Sequence, residues 1–138
     1  MNKGTLTNKS GATLNNGGTL TNDAPPNWAS NWIGNLINVG MLNNYGTLNN
    51  NGSSGTLNNN SGGTINNKRG GSLNNNNAKL NNSGMLNNGS GATLWNAGGT
   101  MINQGTITND GTIDNTNGKF VNQSTGIIKG VGHTKGDI

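Results

Sequence analysis

Few side chains in this sequence can carry acid–base or metal chemistry, and those few are scattered. The 138 residues include no Glu and no Cys, one histidine, His133, and four aspartates, Asp23, Asp110, Asp114 and Asp137. Asp110 and Asp114 lie close together, but neither has a Glu or a His beside it in the sequence. Acid–base catalysis needs an acid and a base that both reach the reacting bond of a substrate, and a metal ion needs several N, S or O ligands. We therefore expect no enzyme, no catalytic residue, no metal site and no cofactor.

The charge pattern is not typical of nucleic-acid binding or of membrane insertion. Lys and Arg number 8 against 4 acidic residues, a net charge of +4, yet only Lys68 and Arg69 are adjacent. Proteins that bind nucleic acid usually concentrate basic residues on one face. No run of the sequence approaches the roughly 18 apolar residues of a membrane-spanning helix. We expect neither nucleic acid nor the bilayer interior as a partner.

A short phrase, Gly-Thr-Leu-x-Asn, recurs from one end of the chain to the other. It reads GTLTN at 4–8, GTLNN at 46–50, GTINN at 63–67 and GTIDN at 111–115. We call its third, apolar residue the anchor; the anchors are Leu6, Leu14, Leu20, Leu36, Leu42, Leu48, Leu57, Ile65, Leu73, Leu80, Leu86, Leu94, Met101, Ile107, Ile113, Phe120 and Ile128. Asn stands two residues after the anchor in 16 of these 17 copies, although only 33 of the 138 residues are Asn. A disordered low-complexity tract has no reason to keep that register.

The spacing of the anchors predicts strands and not helices. Successive anchors are 6 to 9 residues apart, except for 16 between Leu20 and Leu36, so no apolar period of three to four residues exists. Side chains alternate between the two faces of a β-strand, so a short strand would direct the anchor inward and direct the Thr before it and the residue after it outward. Gly and Asn on either side suit corners, because both tolerate the left-handed backbone region. A short repeat of this kind indicates a solenoid.

Taken three at a time, the spacings sum to 19–24 residues. The sequence therefore predicts one all-β domain over 1–138, a β-solenoid (parallel β-helix) of about six three-sided coils of 19–24 residues with one loop insertion at 23–34. The coils begin at Leu6, Leu36, Leu57, Leu80, Met101 and Phe120. A flattened, two-sided solenoid is the alternative.

The Asn after each anchor is suited to bonding between coils. A side-chain amide both donates and accepts, so equivalent Asn residues can form ladders. We predict three such ladders, and the one on the third side includes Asn22, Asn50, Asn75, Asn96 and Asn115. A second interpretation, compatible with the first, is that these Asn residues only turn the chain at corners.

The phrases GTLTN, GTLNN, GTITND and GTIDN resemble the repeats of secreted bacterial β-helix proteins, namely filamentous-haemagglutinin-like adhesins and autotransporter passenger domains. The resemblance covers nearly the whole chain. It implies an extracellular or cell-surface location and a role in adhesion or in a biofilm matrix. Such repeats specify architecture better than they specify a ligand.

The two ends of the sequence read as halves of one phrase. Gly136-Asp137-Ile138 fits a beginning and Met1-Asn2 fits a finish, which would make Ile138 the third anchor of the sixth coil. This predicts a head-to-tail homopolymer whose interface comprises Met1, Asn2, Gly4, Leu6, Phe120, Ile128, Gly136 and Ile138. The predicted function is that of a structural subunit of an extracellular bacterial filament. The alternatives are two chance matches at the ends, and a fragment of a larger secreted adhesin that binds host or matrix glycans.

Two surface features allow further interpretations. Trp28 and Trp32, in the irregular segment DAPPNWASNWIG, could cover their own coil, contact a neighbouring subunit or stack on a glycan. Outward hydroxyls on the third side, Thr19, Thr47, Ser72, Thr93 and Thr112, form a rank of the kind found in ice-binding β-solenoids. The companion rank of Thr21, Asn49, Asn74, Trp95 and Asp114 is irregular, which makes ice binding a minor alternative.

Overall fold

The computed structural model describes residues 1–24 and 34–138. These residues form short β-strands that wind into a solenoid with three faces, each face being a parallel sheet of six strands. The first face comprises β1 (Thr5–Asn8), β4 (Asn35–Asn38), β7 (Thr56–Asn59), β10 (Lys79–Asn82), β13 (Thr100–Asn103) and β16 (Lys119–Asn122). The second face comprises β2 (Thr13–Asn16), β5 (Met41–Asn44), β8 (Thr64–Asn67), β11 (Met85–Asn88), β14 (Thr106–Asn109) and β17 (Ile127–Lys129). The third face comprises β3 (Thr19–Asp23), β6 (Thr47–Asn51), β9 (Ser72–Asn76), β12 (Thr93–Ala97), β15 (Thr112–Asp114) and β18 (His133–Lys135).

The predicted three-sided β-solenoid is confirmed, and the two-sided alternative is wrong. Anchors pair with anchors in every sheet, as in Leu36↔Leu57 on the first face and Leu86↔Ile107 on the second. Equivalent Asn residues in successive coils are 19 to 25 residues apart where all intervening residues are described, so the longest coil exceeds the predicted upper limit of 24 by one residue. Most of the predicted insertion at 23–34 lies outside the described residues, but Asp23 ends β3 and Gly34 directly precedes β4.

The core is a single column of anchors along the solenoid axis. Twelve of them, from Leu36 through Ile113, are at most 1% exposed to solvent. Leu6, Leu14 and Leu20 in the first coil, and Phe120 and Ile128 in the last, are only half-buried, since each packs against a coil on one side. Both ends of the described solenoid thus expose part of its apolar interior.

Fourteen of the 17 anchors have glycine two residues before them, and beyond the first coil this glycine has a role that the sequence did not indicate. The residues with positive φ are other glycines, such as Gly62 and Gly91, and Asn77. A Cβ atom at Gly46 would instead overlap the carbonyl oxygen of Gly18 in the coil below, and one at Gly105 would overlap that of Gly84. Close stacking of coils therefore favours Gly at these positions, although Ala78 and Ala92 show that Ala fits in some coils. None of these glycines has a positive φ, so the prediction that left-handed backbone explains this position is wrong.

The structure also corrects the predicted third anchor of the last coil. On the third face Ile113 pairs with Thr134 of β18, so a threonine, and not Ile138, takes the anchor position there. Asn115 donates from Nδ2 to the carbonyl of Asp137, as Asn96 donates to the carbonyl of Lys119 just before Phe120. Ile138 thus follows the corner toward the first face. Because Asn2 pairs with Asn22 on the third face, Ile138 and Asn2 do not belong to one split phrase.

Candidate functional site

The most regular feature of the molecule is a set of three amide ladders inside the solenoid, which we call the inner ladders. On the third face Asn22, Asn50, Asn75, Asn96 and Asn115 lie in one file. Each donates from Nδ2 to Oδ1 of the next, at 2.7 or 2.8 Å. Asn2 begins this file, because its Nδ2 donates to Oδ1 of Asn22 at 2.8 Å. The other two ladders are Asn8, Asn38, Asn59, Asn82, Asn103 and Asn122 on the first face, and Asn16, Asn44, Asn67, Asn88 and Asn109 on the second.

The same amides also form hydrogen bonds across the corners, so these Asn residues have both predicted roles, in the ladders and at the corners. Nδ2 carries two hydrogens, and the second reaches a backbone carbonyl of the next coil just past the corner. Asn16 thus donates to Oδ1 of Asn44 and to the carbonyl of Thr47, at 2.7 and 2.8 Å. Among the described residues no buried side-chain N or O atom lacks a partner. A polar interior is therefore compatible with a stable solenoid.

The inner ladders have a direction. In every rung between equivalent Asn residues, the coil nearer the amino terminus donates and the coil nearer the carboxyl terminus accepts. Among the described residues, no Asn of another coil donates to Oδ1 of Asn8 or of Asn16, which lie in the first coil. At the opposite end the Nδ2 of Asn122 donates to the carbonyl of Gly126 at 2.9 Å, and no next-coil Asn accepts from it. One end of the described solenoid is an acceptor end and the other a donor end.

A second set of ladders, the outer ladders, runs along the surface and was missed by the sequence analysis. On the second face Asn87 donates to Asn66, Asn66 to Asn43 and Asn43 to Asn15, at 2.8 to 2.9 Å. These bonds run opposite to the inner ladders. Shorter outer ladders join Asn81, Asn58 and Asn35 on the first face, and Asn74 and Asn49 on the third. Reading the residue after every third anchor would have revealed the second-face column.

The residue before each anchor gives the second face an alternating surface. Thr13, Met41, Thr64, Met85, Thr106 and Ile127 stand in one column. Met41, Met85 and Ile127 are 44, 49 and 54% exposed, whereas Thr64 and Thr106 are half-buried between them. The third face instead carries the predicted hydroxyl rank, in which Ser72 Oγ turns to donate to Oδ1 of Asn74 at 2.8 Å.

Asp114 and Asp110 accept hydrogen bonds from residues near the carboxyl-terminal end. Asp114 Oδ1 accepts from the hydroxyl and from the backbone N–H of Thr116, and Oδ2 lies 3.5 Å from Lys135 Nζ. The hydroxyl bond is the main cause that lowers the pKa of Asp114, followed by the backbone bond, with a smaller contribution from Lys135. Asp110 accepts from the N–H of Val131 at 3.3 Å. Within residues 1–24 and 34–138 no three metal-ligating side chains of the His, Cys, Asp or Glu type come together.

The predicted interface residues fall at opposite ends of the solenoid. Met1, Asn2, Gly4 and Leu6 lie in or beside the first coil, and Phe120, Ile128, Gly136 and Ile138 lie in or beyond the last. Trp28 and Trp32 lie outside the described residues, whereas Trp95, on the third face, is 47% exposed. Within the described part of the chain, no helix is long and apolar enough to span a bilayer.

Comparisons with protein-family models, with curated proteins and with solved structures found no match to this chain.

Proposed function

We propose that this protein is a structural subunit of an extracellular bacterial filament and that its copies stack head to tail through the ends of the solenoid. The observation that supports this most is the direction of the inner ladders. Because the first coil presents amide oxygens and the last presents an amide N–H, the two ends complement each other. An end does not complement a second copy of itself.

Two further features of the ends favour stacking. β1, β2 and β3 are edge strands of the three sheets at one end, where Asn2 pairs with part of β3, and β16, β17 and β18 are edge strands at the other. Open strand edges are templates for pairing with a further chain. The half-buried anchors Leu6, Leu14, Leu20, Phe120 and Ile128 would lose their remaining exposure in the same contact.

Head-to-tail contact of this kind does not close a ring, so it gives an open fibre. Each copy would add six coils to a continuous solenoid, an axial repeat of about 29 Å at about 4.8 Å per coil. A fibre without enzymatic chemistry suits a surface appendage, an adhesion fibre or a biofilm matrix.

The test compares the purified protein with the variant Asn122→Asp by electron microscopy. Asn122 is exposed at the donor end, and its Oδ1 accepts from Nδ2 of Asn103 at 2.7 Å, a bond that a carboxylate retains. The variant loses the bond from Nδ2 to the Gly126 carbonyl, but that bond is exposed and water can replace it, so the fold should be kept. In a filament the variant would bury an unpaired charge at every junction, which is costly. We expect filaments from the wild type, none from Asn122→Asp at neutral pH, and their return as acid neutralises the introduced carboxylate.

The matched control is Asn60→Asp, which makes the same charge change at an exposed corner beside β7. It should leave filament formation unchanged. Uniform monomers from the wild type at high concentration would contradict the proposal, as would equal loss of filaments in both variants.

A second candidate function, a glycan-binding segment of a larger β-helix adhesin, is favoured by Trp95. Its exposed ring stands on the third face between Asn74 in one neighbouring coil and Asp114 in the other. An aromatic plane flanked by hydrogen-bonding groups is suited to stacking on a sugar ring. Binding of the monomeric protein to a glycan array, lost in Trp95→Ala, would support this function, and an array without signal would contradict it.

A further inference from the structure

The second face is the neutral face of the solenoid. Of its outward side chains, in the columns that begin at Thr13 and at Asn15, only Lys129 in the last coil is charged. The first face carries Lys79 and Lys119, and the third carries Asp114 and Lys135. Absence of charge at the centre of a surface is typical of protein–protein contacts.

This face also has the relief of a self-complementary surface. Large apolar side chains at Met41, Met85 and Ile127 alternate with threonines, so protrusions recur every second coil, about 9.6 Å apart. The Asn column beside them is held in place by the outer ladder from Asn87 to Asn15. A partner with the same coil spacing can place its protrusions in the gaps, and another copy of this chain has that spacing.

We propose that the second face binds the second face of another copy, with the two solenoids antiparallel and a two-fold axis between the coils of Thr64 and Met85. This arrangement overlaps all six coils and sets every protrusion opposite a threonine. Met85 faces Thr64 of the other copy, Met41 faces Thr106, and Ile127 faces Thr13. Asn66 then faces Asn87, where two amides can exchange hydrogen bonds, and the two Lys129 side chains lie at opposite ends.

The size of the face determines how strongly two copies can pair through it. Six coils of four-residue strands give about 300 Å² per copy, or about 600 Å² in all, well below the 1,200–2,000 Å² of stable interfaces. Single subunits therefore pair weakly. In this respect the inference rests on the proposed function, because stacked subunits repeat the contact along a fibre and bind side by side through multivalency.

The test uses single-cysteine variants, since the chain has no natural cysteine, and a short bismaleimide cross-linker on concentrated protein. The Asn122→Asp background keeps the subunits unstacked. Thr64→Cys lies one coil from its counterpart across the two-fold axis and should give a cross-linked dimer. Thr56→Cys, in the equivalent strand of the first face, and Thr13→Cys, about 24 Å from its counterpart along the axis, should not.

Adding Met41→Thr and Met85→Thr to the Thr64→Cys variant should abolish the dimer, because the protrusions are gone. Adding Trp95→Thr, which removes an equally exposed apolar side chain from the third face, should not change the yield. Equal dimer yields from Thr64→Cys and Thr56→Cys, or a dimer insensitive to the two Met substitutions, would overturn the proposal. Efficient cross-linking of Thr13→Cys would overturn the antiparallel register.

Filaments provide an independent readout. Wild-type filaments should appear bundled, and filaments of the Met41→Thr, Met85→Thr variant should appear single. If the Met variant forms single filaments, only the lateral contact has been lost. If the wild type forms no filaments, the end-to-end proposal is contradicted. In the latter case the cross-linking result still decides whether second faces pair.

Discussion

Asn67 donates from Nδ2 to Oδ1 of Asn88, 2.9 Å away, and from the same nitrogen to the carbonyl of Thr93 at 2.8 Å. One buried amide thus joins two coils and closes the corner between the second and third faces. Its own Oδ1 accepts from Asn44 at 2.8 Å, so three polar groups of other residues depend on this side chain. The same pair of bonds recurs along all three inner ladders.

Removal of this amide should destabilise the solenoid strongly. Asn67→Ala leaves Nδ2 of Asn44, Oδ1 of Asn88 and the Thr93 carbonyl each short of a partner in a buried place, and we expect a loss of about 2–5 kcal/mol in the free energy of unfolding. Chemical denaturation followed by circular dichroism measures it. Asn60→Ala, at an exposed corner, should change the same quantity by less than about 0.5 kcal/mol. Similar losses in both variants would show that the ladder contributes nothing specific.

The close approach of coils predicts a position-dependent cost for a methyl group. Gly46→Ala places Cβ against the carbonyl oxygen of Gly18, so the two coils must separate, and we expect a loss of about 1–3 kcal/mol in unfolding free energy. Gly18→Ala is the matched control, because it occupies the same column in the first coil and meets nothing within 4 Å. Thermal unfolding of dilute, monomeric protein should separate the two variants. A Gly18→Ala variant as unstable as Gly46→Ala would contradict this account.

Asp114 should titrate below its ordinary range, and Thr116 should be the main reason. Because its pKa is lowered on folding, its contribution to stability is present above the unfolded value of 3.8 and is lost as the pH falls through the folded pKa. Thr116→Val removes the hydroxyl bond and should raise the pKa of Asp114 toward 3.8, as measured by carboxyl-carbon chemical shifts against pH. Lys135→Gln should raise it less, since the lysine is a smaller cause. A larger effect from Lys135→Gln would reverse this ranking.

The methionines should differ in their reaction with peroxide. Met41 and Met85 are 44 and 49% exposed on the second face, whereas Met101 is buried in the core at 1%. Oxidation to the sulfoxide depends on access to sulfur, so peptide mass spectrometry should find Met41 and Met85, together with the 78% exposed Met1, modified before Met101. The circular dichroism spectrum should stay unchanged until Met101 reacts. Early oxidation of Met101 would mean that the core opens far more readily than its burial indicates.

Much of this fold could be predicted from the sequence because a solenoid repeats one local environment. Each anchor is apolar because it faces the axis, and each following Asn is polar because it meets its equivalents in neighbouring coils. The grouping of anchors by threes from Leu6 to Phe120 follows from spacing alone, and the structure has the same grouping. In a solenoid, contacts distant in sequence are made between equivalent positions, so periodicity carries tertiary information.

The sequence by itself determined the three-sided coil, the column of anchors and the file of Asn residues from Asn22 to Asn115. Only the tertiary structure decided that Thr134 takes the last anchor position, that Gly46 is needed for clearance from Gly18, and that the inner ladders all donate toward the carboxyl-terminal end. It also placed Met41 and Met85 in one column with Thr64 between them. The physical reason is that residue type records what environment a side chain needs, whereas register, hydrogen-bond direction and clearance are relations between coils that exist only once the coils are stacked.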